Sequence, residues 1–199
     1  ITILGRPIIG KYNLQKTEKE IKEIEKKTKI VNQSVKKVGK ILGAKKISVH
    51  NLPNCQYDSV KQLQITQLIE KDMREFKPHI VITHHPGDSN TDHGAVFKSA
   101  IIATRSLPNC QISKVLLFEI PSSTTYSRTG NQFKPDTYIQ VSKESLNKKI
   151  KAMEAYTTEK AKYPHPRSAE ALKALAMLRG TEIGFEYAEA FQTLWRKGL

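Results

Sequence analysis

Apolar residues in this chain follow two rhythms: short unbroken runs, and longer stretches that return to one face every three or four positions. The runs at residues 1–4, 46–50, 80–83 and 114–120 each give way to Gly, Pro, Asn or Ser, which predicts strands ending in polar loops. Between them lie helical stretches. Thr17 and Glu20 form a capping box ahead of Ile21, Ile24, Val31, Val35, Val38 and Leu42, and Gly43 supplies a stop, so residues 17–42 predict a long amphipathic helix. Residues 59–76 predict a second helix with Leu63, Leu68, Met73 and Phe76 inward. A third begins at Asp92 as N-cap, which puts His93 at its first position ahead of Ala95, Val96, Ala100 and Ile101.

Farther on, residues 137–141 read as a strand, Ser142 caps a helix reaching Tyr156, and Ser168 caps another that ends at Gly180. Residues 187–195 fit neither rhythm. Strand and helix alternate over the first 120 residues, which predicts right-handed β-α-β units. The expected architecture is a three-layer α/β sandwich, with a Rossmann-like, mostly parallel sheet and helices on both faces. Without linkers or internal repeats, residues 1–199 read as one domain.

Charge changes the picture less than its size suggests. The formal net charge is +14 at pH 7, but the lysines cluster in residues 17–42 and alternate there with Glu18, Glu20, Glu23 and Glu25, the pattern of a solvated helix face. Nucleic acid is therefore disfavoured as a partner, and polyanion binding is the secondary reading of that charge. No apolar run is long enough to span a membrane. Cys55 and Cys110 lie in no CxxC spacing, which argues against a disulfide framework and for a reduced, cytoplasmic setting. The absence of GxGxxG disfavours a dinucleotide binder.

Candidate chemistry concentrates in residues 78–93, PHIVITHHPGDSNTDH, where a strand runs into a cluster of polar and metal-capable side chains. In open α/β sheets, ligands bind outside the carboxyl ends of strands, where this loop hangs. Turn preference alone also explains Asp88 and Asn90, and capping also explains Asp92. His84 and His85 can point to opposite sides of the strand end, as satisfied core histidines or as supports of a site. Asp58 lies in another strand-end loop, and His165 and Arg167 share the Pro-rich segment YPHPRS.

The string GDSNTDH after a THH-terminated strand, followed in order by FEIPSST, YPHPRS and YAEAF, resembles the PIG-L or LmbE-like zinc-dependent deacetylases, which remove the N-acetyl group from N-acetylglucosamine-type sugars. The resemblance implies a Zn²⁺ cofactor with His93 as one of three protein ligands, and Asp92 beside it as a catalytic or ligand-fixing carboxylate. Many relatives carry a histidine at the position of Asn90, proposed to stabilise the oxyanion; an amide there can donate a hydrogen bond but cannot transfer a proton. His165 is then a candidate general acid, and Asp58, Asp88 and Arg167 are candidate substrate-binding residues, Arg167 for an anionic group.

The family's His-Pro-Asp-Asp motif, which carries two zinc ligands and the catalytic base, does not occur here. The expectation is that the chain starts inside the family's second strand, with about one β-loop-α unit missing, and is metal-poor and inactive as it stands. The implied activity is metal-dependent hydrolysis of the N-acetyl group of an amino sugar or its conjugate, with a phosphate-bearing substrate and a homo-oligomer both left open. The alternative is a non-catalytic glycan- or polyanion-binding α/β protein.

Overall fold

A computed structural model describes residues 1–6, 17–106, 110–128 and 130–198. In chain order, the elements are β1 (Thr2–Arg6), α1 (Glu18–Leu42), β2 (Ser48–Pro53), α2 (Gln62–Phe76), β3 (Ile80–His84), α3 (Thr91–Ala103), β4 (Lys114–Phe118), β5 (Thr137–Gln140), α4 (Lys143–Ala155), α5 (Ala169–Thr181) and β6 (Ala188–Arg196). The α/β class and the predicted alternation hold.

Helix α1 forms where its local signals place it. Thr17 and Glu20 exchange both capping-box hydrogen bonds, and Gly43 closes the helix at φ 66°, a left-handed conformation that glycine adopts without strain. Its buried residues Val31, Val35 and Gly39 recur every four positions, leaving the lysines on the other face. The inward face of α2 differs from expectation. Leu63 is 66% exposed and Phe76 39%, while Ile65 and Asp72 are buried, with Leu68 and Ile69 partly buried between them. A polar contact sets that face: Asp72 Oδ2 accepts from Thr2 Oγ1 at 2.7 Å and lies 3.1 Å from His50 Nε2, so the acid turns inward.

Two sheets form. In one, β1 and β2 are parallel; in the other the order is β3-β4-β6-β5, with β3 parallel to β4 and β6 antiparallel to both its neighbours. The expected mostly parallel sheet is thus mixed, the antiparallel part coming from β6, which lacked a clear period in sequence. Residues 80–82, expected as a buried run, are only partly covered: Ile80 and Ile82 are 52% and 50% exposed, while Thr83 on the opposite face is buried. β3 is an edge strand, and its Ile80–Ile82 face stays about half exposed.

Neighbouring residues of β1 show the layering. Ile3 packs with Val31 and Val35 of α1 and Tyr156 after α4, whereas Leu4 packs with Leu52, Tyr57 and Ile65, and with Ala95 and Val96 of α3. Helices α1 and α4 therefore cover one face and α2 and α3 the other. Leu146 of α4, Ala176 of α5 and Tyr187 extend the first layer. This places the ends of β3 and β4, with the loops that follow them, at one rim of the sandwich.

Candidate active site

After His84 the chain turns through residues 85–90 into α3. The cap is Asn90, whose side-chain oxygen accepts the Asp92 N–H at 2.9 Å, so the helix starts at Thr91 and His93 is its third residue. The expected cap at Asp92 is displaced because its carboxylate is engaged elsewhere. Asp92 is 4% exposed, and its oxygens accept the backbone N–H groups of Cys55 and Tyr57, the latter at 3.0 Å. That bond holds a loop in which Cys55 sits at φ 63°, a left-handed conformation costly for a side chain with a Cβ. Burial and then the Asp92 charge push the Tyr57 hydroxyl well above its ordinary pKa.

Asp88 is the hub. Its Oδ1 accepts the Asn90 N–H at 2.9 Å, and its Oδ2 accepts Ser123 Oγ at 3.0 Å and Thr124 Oγ1 at 3.2 Å from the loop after β4. His93 Nδ1 lies 3.1 Å from Asp88 Oδ1, off the line of an aligned hydrogen bond. Burial raises the Asp88 pKa, yet His93, the Asn90 N–H and Ser123 outweigh it and hold the carboxyl below its ordinary range.

The His84 ring stacks tilted on His93 at 4.4 Å and lies 5.2 Å from Phe118. Burial, aided by the charge of His93, pushes His84 down to about 3, against the opposing pull of Asp88, so this imidazole is neutral. His85 is fully buried, and its Nδ1 accepts the Gly87 N–H at 3.0 Å. Gly87 is required there: a Cβ would overlap the Asn131 carbonyl and touch the His85 ring.

A depressed histidine pKa has a definite sign. Below pH 6.5 the unfolded chain takes up a proton that folded His84 refuses until about pH 3, so stability is lost progressively over that window. A loss of about 5 kcal/mol is the upper bound. Urea midpoints measured from pH 7 to pH 4 should fall, and His84→Asn should flatten the slope; a wild-type midpoint independent of pH would contradict the buried neutral ring. Asp88 adds to the same trend at the acid end.

The structure thus brings Asp88, Asn90 and His93 together and ties Asp92 to the same helix start from the other side. The remaining candidates bond within their own segments. Asp58 is exposed and accepts the Ser59 N–H at 3.1 Å, His165 Nδ1 accepts the Arg167 N–H at 3.1 Å, and the Arg167 guanidinium pairs with Glu159. Ser123 and Thr124 could not be singled out from the sequence, because their partner is 35 and 36 positions away and a PSSTT run signals only a turn. Sequence reasoning also missed a polar cleft of about 630 Å³ beside Asp88, lined in part by Gly87, Glu119, Thr124, Phe133 and Arg179.

Among the described residues, no group of three or more His, Cys, Asp and Glu side chains is placed to hold a metal ion. His93 with its Asp88 partner does not by itself constitute a zinc site.

A β-strand, a polar loop and a helix opening on Asn-Thr-Asp-His are now in place around a carboxylate–imidazole pair. Residues 10–104 match the PIG-L family. The PIG-L match, described as GlcNAc-PI de-N-acetylase, contains Asp88, Asn90, Asp92 and His93 but not His165 or Arg167. Solved structures share the fold. N,N′-diacetylchitobiose deacetylase from Pyrococcus horikoshii aligns with TM-score 0.68 and 19% identity, over 97% of this chain and 71% of its own. The conserved protein TT1542 from Thermus thermophilus aligns with TM-score 0.66 and 19% identity, over 100% of this chain and 82% of its own. GalB, the 4-carboxy-2-hydroxymuconate hydratase from Pseudomonas putida KT2440, aligns with TM-score 0.66 and 18% identity, over 100% and 84%. No curated protein matches the chain in sequence. Among the described residues, no helix is long and apolar enough to cross a membrane.

Proposed function

We propose that this chain belongs to a hydrolase that removes the N-acetyl group from an N-acetylglucosamine-type sugar or its conjugate. The carrying observation is the Asp88–His93 pair at the carboxyl ends of β3 and β4, inside the PIG-L match and beside a polar cleft. Asp88, held by Ser123 and Thr124, orients the His93 ring and favours its Nδ1–H form. The Asn90 side-chain oxygen is taken by the Asp92 N–H, which leaves its NH₂ to donate toward an oxygen that gains charge as the amide is attacked. Asp58, His165 and Arg167 are assigned no step. Zinc belongs to the proposal, with His93 as one ligand. Free Cys55 and Cys110 suit a cytoplasmic setting.

Acetate release from N,N′-diacetylchitobiose in the presence of zinc tests the proposal, and Asp88→Ala should reduce any release at least about tenfold. Hydration of a dienoate substrate without acetate release would move the reading toward the GalB-type reaction. Glycan binding by a zinc-loaded protein that releases no acetate would favour the non-catalytic alternative.

A further inference from the structure

The chain carries a formal charge of +14, so the general expectation is that its clefts welcome anions. The cleft beside Asp88 does not follow that rule. Its better-shielded cation, Arg179, has a side chain 14% exposed and is already committed. Nε and Nη2 grip Glu119 in a two-pronged pair at 2.8 and 2.9 Å, and Nη1 reaches both oxygens of Glu182 at 2.9 and 3.1 Å. Two carboxylates around one guanidinium, Glu119 in the lining and Glu182 next to it, give this cluster a net charge of about −1, so Arg179 has no free fork to offer a phosphate.

Much of the rest of the lining is neutral. Thr125, Asn131 and Gln132 offer hydroxyl and amide groups, and Phe133 adds an aromatic ring with Arg179 over it at 5.8 Å and His85 edge-on at 5.5 Å. A ring among neutral donors and acceptors suits a ligand with hydroxyls on its edge and C–H groups on its face. The other cation of the lining, Arg128, stands exposed, with Nη1 spent on the Ser127 carbonyl at 3.0 Å. A solvated charge of this kind contributes little to affinity.

We infer that this cleft takes the uncharged, hydroxyl-rich part of the substrate, a neutral saccharide attached to the N-acetylated sugar, and selects against sugars that carry phosphate at that end. The inference rests on the deacetylase reading for the position of the reacting group, but its charge argument stands on Arg179, Glu119 and Glu182 alone.

The test compares N,N′-diacetylchitobiose with N-acetylglucosamine 1-phosphate, by calorimetric binding to the zinc-supplemented protein and by kcat/KM for acetate release. Neutral disaccharide should be favoured about tenfold or more, and Glu182→Gln, which unmasks part of Arg179, should narrow the gap by improving the phosphosugar. Equal or tighter use of the phosphosugar by the unaltered protein overturns the inference while leaving deacetylation intact. Preferential binding of the disaccharide without any acetate release sinks the deacetylase reading and leaves this one standing. Binding of neither sugar overturns the inference, and the unaltered protein decides each case even if the variant fails to fold.

Discussion

Incubated with zinc and dialysed, the 199-residue chain is expected to retain far less than one equivalent of metal. The described residues contain no cluster of three suitable side chains, and a single neutral imidazole competes poorly with water for a divalent ion. His93→Ala should lower the metal retained still further and abolish any zinc-dependent acetate release, because a proposed ligand is lost outright rather than merely misaligned. Metal analysis and acetate assays on the chain and its His93→Ala variant provide the comparison. Stoichiometric zinc in the 199-residue chain would show that the ligands have been misassigned, and activity surviving His93→Ala would remove this histidine from the mechanism.

Arg179→Met should cost about 3 kcal/mol of unfolding free energy, measured in urea at pH 7. The guanidinium bridges α5 to Glu119 at the end of β4 and to Glu182 beyond the helix, with Arg179 and Glu119 side chains 14% and 18% exposed. Removing it strands two carboxylates close together in partly dry surroundings. Most of that loss is a penalty for leaving charge unpaired rather than the net worth of the pair, so Arg179→Met combined with Glu119→Gln and Glu182→Gln should recover a large part of it. A loss under about 1 kcal/mol for the single variant would mean that the cluster behaves as an ordinary surface ion pair. The same substitution should deform the cleft, because Arg179 also covers the Phe133 ring.

What could be read without coordinates was local. The starts of α1, α4 and α5 lay in Thr17, Ser142 and Ser168, whose side chains accept N–H groups three residues ahead; such bonds depend on nothing distant. The strands β1 to β4 were visible as apolar runs, and alternation with helices implied parallel pairing for β1–β2 and β3–β4. The inward face of α2 was misread because hydrophobicity alone chose it, whereas a hydrogen bond from Thr2, 70 positions away, turned Asp72 to the inside. β6 was not assigned because its role comes from pairing with both β4 and β5, and no local period records that.

The sequence by itself determined that a strand would deliver Asp88, Asn90, Asp92 and His93 to one loop and helix start, since four polar residues within six positions cannot separate far. Only the tertiary structure decided what each of them does. Asn90 rather than Asp92 caps α3, because the β2–α2 loop claims the Asp92 carboxylate; Asp88 faces His93, because Ser123 and Thr124 hold its other oxygen. Those partners come from segments more than 30 residues away, and their approach is set by how the layers pack around β3 and β4. The cleft beside Asp88 has the same origin, since Glu119 and Arg179 meet across 60 positions. A carboxylate has several acceptor sites and many groups in the chain could fill them, so the choice among partners belongs to packing rather than to local spacing.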